Sequence, residues 1–367
     1  MSAAAAAGAA PRQIAVLGAG AVGTLLGGLL AASGARVVLV DRRVPPNAPA
    51  EIVIHEPDGR TIAARVTRAT SPADVAEAPD LAVVAVKMFD LAAALDDLAG
   101  WPVVPVLTIQ NGIGAEELVA SARPGAGLIA GSLTSPVERP GPAEVRWRGR
   151  GGIALAPATG GVEGLVDWLV AAFAGAGLPA RRIADHRAMK WSKLVGNLVG
   201  NALSALADRE PAAVYADARL FAIERRQLQE ALAVMRAARL PVVALPGADI
   251  RLLALAVRLP APLSRAVLRL VVGRARGGKS PSLRLHLRSA EGPTEASWMN
   301  GAVTRAGSVA GVPTPVNAAL AGLLDRAASD PVLRAELARR PARIVELVEA
   351  DGRTGPPPGP DHPEEDP

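Results

Sequence analysis

Four short apolar runs mark the first half of the chain: Ile14 to Leu17, Arg36 to Val40, Leu81 to Val86 and Val103 to Ile109. A run that is apolar at every position, as Leu81 to Val86 is, suits a parallel strand covered on both faces of its sheet. Between the second and third runs, Glu51 to Val66 reads as a hairpin turning at Pro57-Asp58-Gly59. From about Asp185 the pattern becomes helical. There Lys193, Asn197 and Asn201 recur every four residues within Leu, Val and Gly. At ~100° per residue the three drift by about 80° and are expected on one helix face.

The first run leads into Gly18-Ala19-Gly20-Ala21-Val22-Gly23, a GxGxxG at a strand-to-helix junction. Gly18 permits the tight turn, Gly20 lets the backbone approach a pyrophosphate, and Gly23 lets the helix pack closely on the strand. The phosphates of a dinucleotide would then meet the positive helix N-terminus. The second run ends at Asp41, near the ~20-residue spacing of a ribose-binding acid. Asp41 suits a ribose 2′-hydroxyl and hence NADH, whereas Arg42 and Arg43 suit the 2′-phosphate of NADPH. The chain is therefore expected to be α/β, with a Rossmann-type dinucleotide-binding domain over 11–183 and an all-helical catalytic domain over 184–350. Tails over 1–10 and 351–367 are expected to be disordered, the second because it is rich in Pro and acidic residues.

Lys87 and Gln110-Asn111-Gly112-Ile113-Gly114 stand at the carboxyl ends of the third and fourth runs, on the rim where open α/β sheets bind ligands. Singly, Lys87 reads equally as an exposed lysine and Asn111 as a turn residue before glycine. The Lys193, Asn197, Asn201 stripe reads as a functional polar face or as the solvent side of an amphipathic helix. Two asparagines are poor helix formers to place on a solvent face, which favours function. Gly196 and Gly200 would admit another backbone or a substrate. Thr294-Glu295 precedes a helix-like run ending near Gly311, and capping alone would account for Glu295. Ile14 to Ala35 carries no charge and is long enough to span a bilayer, but its strand, glycine turn and helix pattern argues against a transmembrane segment.

Composition narrows the chemistry. A chain of 367 residues, 50% hydrophobic, suffices for two domains. With no cysteine there are neither disulfides nor thiolate metal sites, and a reducing cytoplasm is the expected setting. The net charge is +5, yet three Phe, five Trp and one Tyr offer few stacking platforms, so an anionic cofactor explains the balance better than nucleic acid. No GxSxG is present, and His55, His186, His286 and His362 have no ligand-like spacing, which disfavours a hydrolase and a metalloenzyme. Leu240 to Gly278 mixes Leu, Val and Ala with many Arg. It is expected to form packed helices whose arginine stems cover apolar surface, a membrane-surface helix and a subunit interface being the alternatives.

Taken together, these residues resemble the ketopantoate reductase family from about Gln13 to Glu349. The resemblance implies NADPH as cofactor, with NADH as the alternative. It places the family's cofactor-binding turn on Gly18, Ala19, Gly20, Ala21, Val22 and Gly23, its cofactor arginine on Arg42 and its lysine on Lys87. The QNG signature falls on Gln110-Asn111-Gly112, which implies that Asn111 touches both nicotinamide and substrate. The pattern Lys-Leu-x-x-Asn-x-x-x-Asn implies Lys193 as general acid and Asn197 and Asn201 as substrate ligands. Thr294-Glu295 with Asn300-Gly301 implies an active-site role for Glu295, at substrate or nicotinamide ribose, and the site serine falls on Ser282. The sequence departs from the family at Ser282-Leu283-Arg284-Leu285-His286 and at Asn201-Ala202-Leu203-Ser204, which bears on substrate identity. The implied function is NADPH-dependent reduction of 2-dehydropantoate to pantoate in coenzyme A biosynthesis. Its alternatives are a reductase of another 2-oxo acid or an imine, and a non-catalytic NAD(P)-binding protein. The expected partner is a small-molecule substrate, with a homodimer admitted and neither nucleic acid nor membrane expected.

Overall fold

The structure, a computed structural model, describes residues 13–42, 50–149, 151–275, 281–289 and 293–354, without the side chains of 271–275, 282 and 352–354. Arg43, the tail over 1–10 and residues 355–367 lie outside these residues. Two compact units form, one reaching Gly196 and including Leu240–Leu255, the other comprising Asn197–Arg239 and the chain from Ala256 onward.

In the first unit the chain runs β1 (Gln13–Leu17), α1 (Ala21–Ala32), β2 (Arg36–Val40), β3 (Glu51–His55), β4 (Thr61–Arg65), β5 (Thr67–Ala69) and β6 (Leu81–Val84). There follow α2 (Leu91–Asp97), β7 (Val106–Thr108), α3 (Ala115–Ala122), β8 (Leu128–Leu133), β9 (Val137–Gly141), β10 (Glu144–Trp147), β11 (Ile153–Pro157), α4 (Glu163–Gly175) and β12 (Ala180–Arg182). An eight-stranded sheet has the order β12-β11-β8-β7-β6-β1-β2-β5. It is parallel except where β11 runs against β8. From β1 the chain goes outward through β2 to β5, then returns to β6 on the other side of β1. The carboxyl ends of β1 and β6 therefore border a topological switch point, where such sheets bind ligands. The expected hairpin is β3 and β4, which join β10 and β9 in a second, four-stranded sheet.

That second sheet explains the charge-free stretch after the first strand. A Cβ at Gly27 would meet Leu39 at 2.6 Å on the large sheet, and one at Gly28 would meet Ile54 at 2.8 Å on the small sheet. Helix α1 is thus covered on two sides, and Leu25, Leu26, Leu29 and Leu30 are wholly buried in the unit's core with Ile14, Val16, Leu39, Ile52 and Ile54. No helix of the described residues is long and apolar enough to cross a membrane.

Helix α5 (His186–Leu198) follows, opened by the Asp185 carboxylate, which accepts from the Arg187 and Ala188 amides. Its first part belongs to the first unit, and the division passes between Gly196 and Asn197. The second unit holds α6 (Ala202–Ala207), α7 (Pro211–Ala216) and α8 (Ala218–Ala237). The chain then makes a short hairpin, β13 (Ala244–Leu245) and β14 (Ala248–Asp249), before α9 (Ile250–Arg258). This hairpin is fixed to the first unit by a bond from Thr134 Oγ1 to the Pro246 carbonyl at 2.6 Å and one from the Val243 amide to Ser192 Oγ at 2.9 Å. The second unit resumes with α10 (Ala261–Ala275), α11 (Ser282–Ser289), α12 (Asn300–Ala310), α13 (Pro315–Ser329), α14 (Pro331–Arg339) and α15 (Ala342–Thr354). Among the described residues its regular elements are helices, and the last of them runs to Thr354, four residues into the tail expected over 351–367.

Two expectations are corrected. The arginine-rich region does form helices, but their apolar surface is not covered: Leu252, Leu255, Leu263 and Leu270 are each more than half exposed. Both helices are apolar around most of their circumference, so packing Ala254 and Val257, or Leu268, inward leaves leucines facing out. The polar stripe is also not one helix face, because α5 ends at Leu198 and Asn201 lies beyond a turn. Gly200 takes a left-handed φ of +58° and gives its amide to the Glu224 carboxylate, which breaks the helical ladder there.

Candidate active site

The glycine turn is shaped as its spacing requires. Gly18 has φ +94°, and a Cβ there would lie 2.9 Å from Val86. A Cβ on Gly23 would fall 2.0 Å from the Gly18 carbonyl oxygen, so the first turn of α1 rests directly on the loop. Gly20 is the N-cap of α1, and a Cβ there would meet nothing within 4 Å among the described residues. It presents backbone to the outside while the helix N-terminus stands behind it, a cradle that fits a dinucleotide's pyrophosphate. Ala19 is buried, and Ala21 and Val22 are partly so.

At the end of β2, the Asp41 amide donates to Ala69 of β5. Arg42 is exposed and pairs with Asp97 at the end of α2. The pattern of the sequence missed Arg68, which β5 places beside Asp41. Burial holds the Arg68 guanidinium below its usual pKa, Arg139 adds to this and Asp41 opposes it. Arg68 and Arg139 each donate to the Pro142 carbonyl at 3.1 Å, so two guanidiniums converge close to Asp41. No local signal could have revealed this, because it depends on β5 pairing with β2 and on the β9–β10 turn.

Lys87 is exposed just after β6, and Asn111 is exposed just after β7. The two loops are tied together by Gln110, whose side-chain amide donates to the carbonyls of Val84 at 2.8 Å and Val86 at 3.1 Å. Its side-chain oxygen accepts from the Ile109 amide at 3.1 Å. The backbone carbonyl of Gln110 accepts from Lys190 Nζ of α5 at 2.7 Å. Lys190 also lies 3.1 Å from Glu116, which accepts from Thr108 Oγ1 at 2.6 Å. Lys190 and Glu116, 4% and 6% exposed, are residues that the sequence did not single out, since neither departs from an ordinary helical pattern.

Burial pushes the Glu116 carboxyl up, but the Lys190 charge and the hydrogen bonds from Thr108 and Lys190 together hold it below the usual carboxylate range. Because the folded pKa is depressed, the stabilisation is present at neutral pH and lost as pH falls through the folded value. Glu116→Gln is expected to flatten the acid limb of thermal stability against pH. Near neutrality it should cost about 3 kcal/mol, since a buried ammonium is left without its counter-ion.

Further along α5, Lys193 and Asn197 are partly exposed between the buried Leu194, Val195 and Leu198. They stand one helical turn apart on the same face. The close approach that Gly196 allows is to the protein itself, as a Cβ there would lie 3.0 Å from Ile250.

In the second unit, Asn201 is 4% exposed. Its side-chain oxygen accepts from the Leu283 amide at 3.3 Å, and its amide group reaches Met299 Sδ at 3.5 Å. Ser282, whose side chain lies outside the described residues, immediately precedes Leu283 at the start of α11. Glu295 is 7% exposed, and its carbonyl accepts from the Met299 amide at 3.1 Å. Asn201 thus gathers the segments of Ser282 and Glu295. Thr294 Oγ1 accepts from the Ala296 amide at 3.2 Å, as a cap does, and bonds to Asp325 at 3.0 Å. Beneath this cluster the buried Glu224 accepts from the Gly200 amide, from Tyr215 Oη at 2.8 Å and from Gln227 at 2.7 Å. Arg284, one of the departures noted above, is 7% exposed and pairs with Asp208 and Glu210. It anchors α11 to the turn before α7.

A family model described as ketopantoate reductase PanE/ApbA matches residues 14–160, and one for the C-terminal part of the same family matches 185–328. The 2-dehydropantoate 2-reductase of Caulobacter vibrioides is 30% identical over 321 residues, 86% of this chain and 99% of that protein. The 2-dehydropantoate 2-reductase of Halobacterium salinarum is 33% identical over 203 residues, 53% of this chain; the match spans 66% of that relative, just under two thirds of its length. Among solved structures, a PanE/ApbA family ketopantoate reductase from Ralstonia eutropha JMP134 has a TM-score of 0.71 at 27% identity, over 86% of this chain and 98% of that one. Both family models, in order along one chain with this sheet and these helices, lead to one conclusion: the chain belongs to the ketopantoate reductase family.

Proposed function

We propose that this chain is an NADPH-dependent 2-dehydropantoate 2-reductase that forms pantoate, working in a reducing cytoplasm. The observation that carries the reading is α5, which from Ala188 to Leu198 is buried except at Gly196 and at Lys193 and Asn197, two polar residues left partly exposed one turn apart. When bound, the reduced nicotinamide supplies a hydride to the C2 carbonyl of the oxo acid. Gly18 to Gly23 and the N-terminus of α1 hold the pyrophosphate, and Asp41, Arg42 and Lys87 hold the adenosine half. Asn111 orients nicotinamide and substrate. Lys193 stabilises the developing alkoxide and gives its proton to that oxygen, two tasks that suit an ammonium. Asn197, Asn201 and Ser282 position the substrate, and Glu295 orients substrate or nicotinamide ribose, which lowers the entropic part of the barrier.

Arg42 supports NADPH over NADH. Its pairing with Asp97 is exposed, and such pairs are worth only ~0.2–1 kcal/mol, so the guanidinium is cheaply redirected to a 2′-phosphate. Arg68 offsets the repulsion that Asp41 would exert there. The test follows absorbance of NADPH and NADH, separately, with ketopantoate and a panel of other 2-oxo acids and imines. Ketopantoate with NADPH is expected to give the highest kcat/KM, by about tenfold or more over NADH, equivalent to ~1.4 kcal/mol. A better oxo acid or imine in the panel replaces the substrate assignment. Cofactor binding without any turnover points instead to a non-catalytic nucleotide-binding protein.

A further inference from the structure

Lys190 is buried, charged and outside the reaction described above. An ion pair of this kind costs several kcal/mol to desolvate, and an apolar pair of the same volume often serves stability as well or better. Its geometry shows another use. The Lys190 ammonium contacts the Gln110 carbonyl at 2.7 Å and the Glu116 carboxylate at 3.1 Å. These two residues flank the turn from Asn111 to Ala115. That turn contains Gly112 at φ +87° and Gly114 at φ +115°, two positions of high intrinsic freedom. Gln110 is held on its other side by Val84 and Val86, and Glu116 by Thr108. One ammonium therefore closes the base of a glycine-containing turn whose exposed first residue is Asn111. Lys190 also precedes Lys193 by three residues, so the same helix carries the clamp and the proposed proton donor.

We infer that Lys190 is a positioning residue: held by Glu116, it staples the Asn111 to Ala115 turn and aims the Asn111 amide along the rim of the sheet. The catalytic consequence rests on the proposed function, while the staple itself does not. Removing the ammonium alone would strand Glu116, so the decisive protein is the full chain carrying Lys190→Met together with Glu116→Gln, which keeps the site neutral and the lysine stem in place.

Two measurements are made on it. Hydrogen exchange of the 110–115 amides is expected to quicken about tenfold, a loss of ~1.4 kcal/mol of local protection, with the β1 and β6 amides unchanged. The kcat/KM for the oxo acid is expected to fall up to ~10²-fold, the size of effect that a misplacement of about 1 Å produces. Adding Asn111→Ala should then cost little more, because the two changes act through one side chain. Unchanged exchange overturns the staple. Faster exchange with full turnover, or losses that simply multiply with that of Asn111→Ala, overturns positioning through Asn111. A wild-type protein inactive on every 2-oxo acid overturns the proposed function and with it the catalytic consequence, and exchange then decides the staple alone.

Discussion

Lys193→Ala is expected to lower kcat by about 10²–10⁴-fold, the range that one positioned general acid contributes. Binding of NADPH, followed by its fluorescence, should be largely unaltered, because Lys193 is assigned to the oxo acid's oxygen and not to the pyrophosphate or ribose. The fold should survive. Lys193 is only partly buried on α5 between Ser192 and Leu194, and alanine is the strongest helix former. Lys193→Arg should not restore the rate, since a guanidinium stays protonated at any working pH and is a poor proton donor. Asn197→Ala, one turn away, is expected to act mainly on KM. If Lys193→Ala turned over ketopantoate at the wild-type rate, the reaction would need another acid.

How far the site was legible in the sequence follows from the range of the interactions that build it. Local signals were dependable. The GxGxxG turn depends on neighbouring residues, and its steric demands are met at Gly18 and Gly23. The first two strands match their apolar runs, whereas β7 covers only Val106–Thr108 of its run and β6 stops at Val84, where the Gln110 side chain takes the carbonyls of Val84 and Val86. Asn201 was placed on a helix face because a four-residue repeat does not register a turn. The break at Gly200 is set by Glu224, a residue of another helix. The return of Leu240–Leu255 to the first unit, and the meeting of Lys190 with Glu116 and of Arg68 with Asp41, depend on pairings between distant segments. Periodicity carries no information about such pairings. The family resemblance implies roles for Lys87, Asn111 and Glu295 but assigns none to Gln110, Lys190 and Glu116, which build the surroundings of the Asn111 turn.

The glycine turn gives the second large effect, and it separates ligand binding from folding. Gly23→Ala would set a methyl group 2.0 Å from the Gly18 carbonyl oxygen and 3.1 Å from the Ala85 side chain. The first contact is with backbone and cannot be relieved by a rotamer change, so α1 must lift from β1. Overpacking of this kind costs about 1–3 kcal/mol, and thermal unfolding should shift down accordingly. Gly20→Ala differs. Its φ of −67° suits any residue, and its Cβ would meet no atom of the described residues within 4 Å, so stability should be unchanged. If the pyrophosphate lies against this backbone, that methyl occupies the ligand's place, and NADPH affinity should fall about 10²-fold, ~2.7 kcal/mol. Gly20→Ala with wild-type NADPH affinity would place the phosphates elsewhere, whatever Gly23→Ala did to the fold.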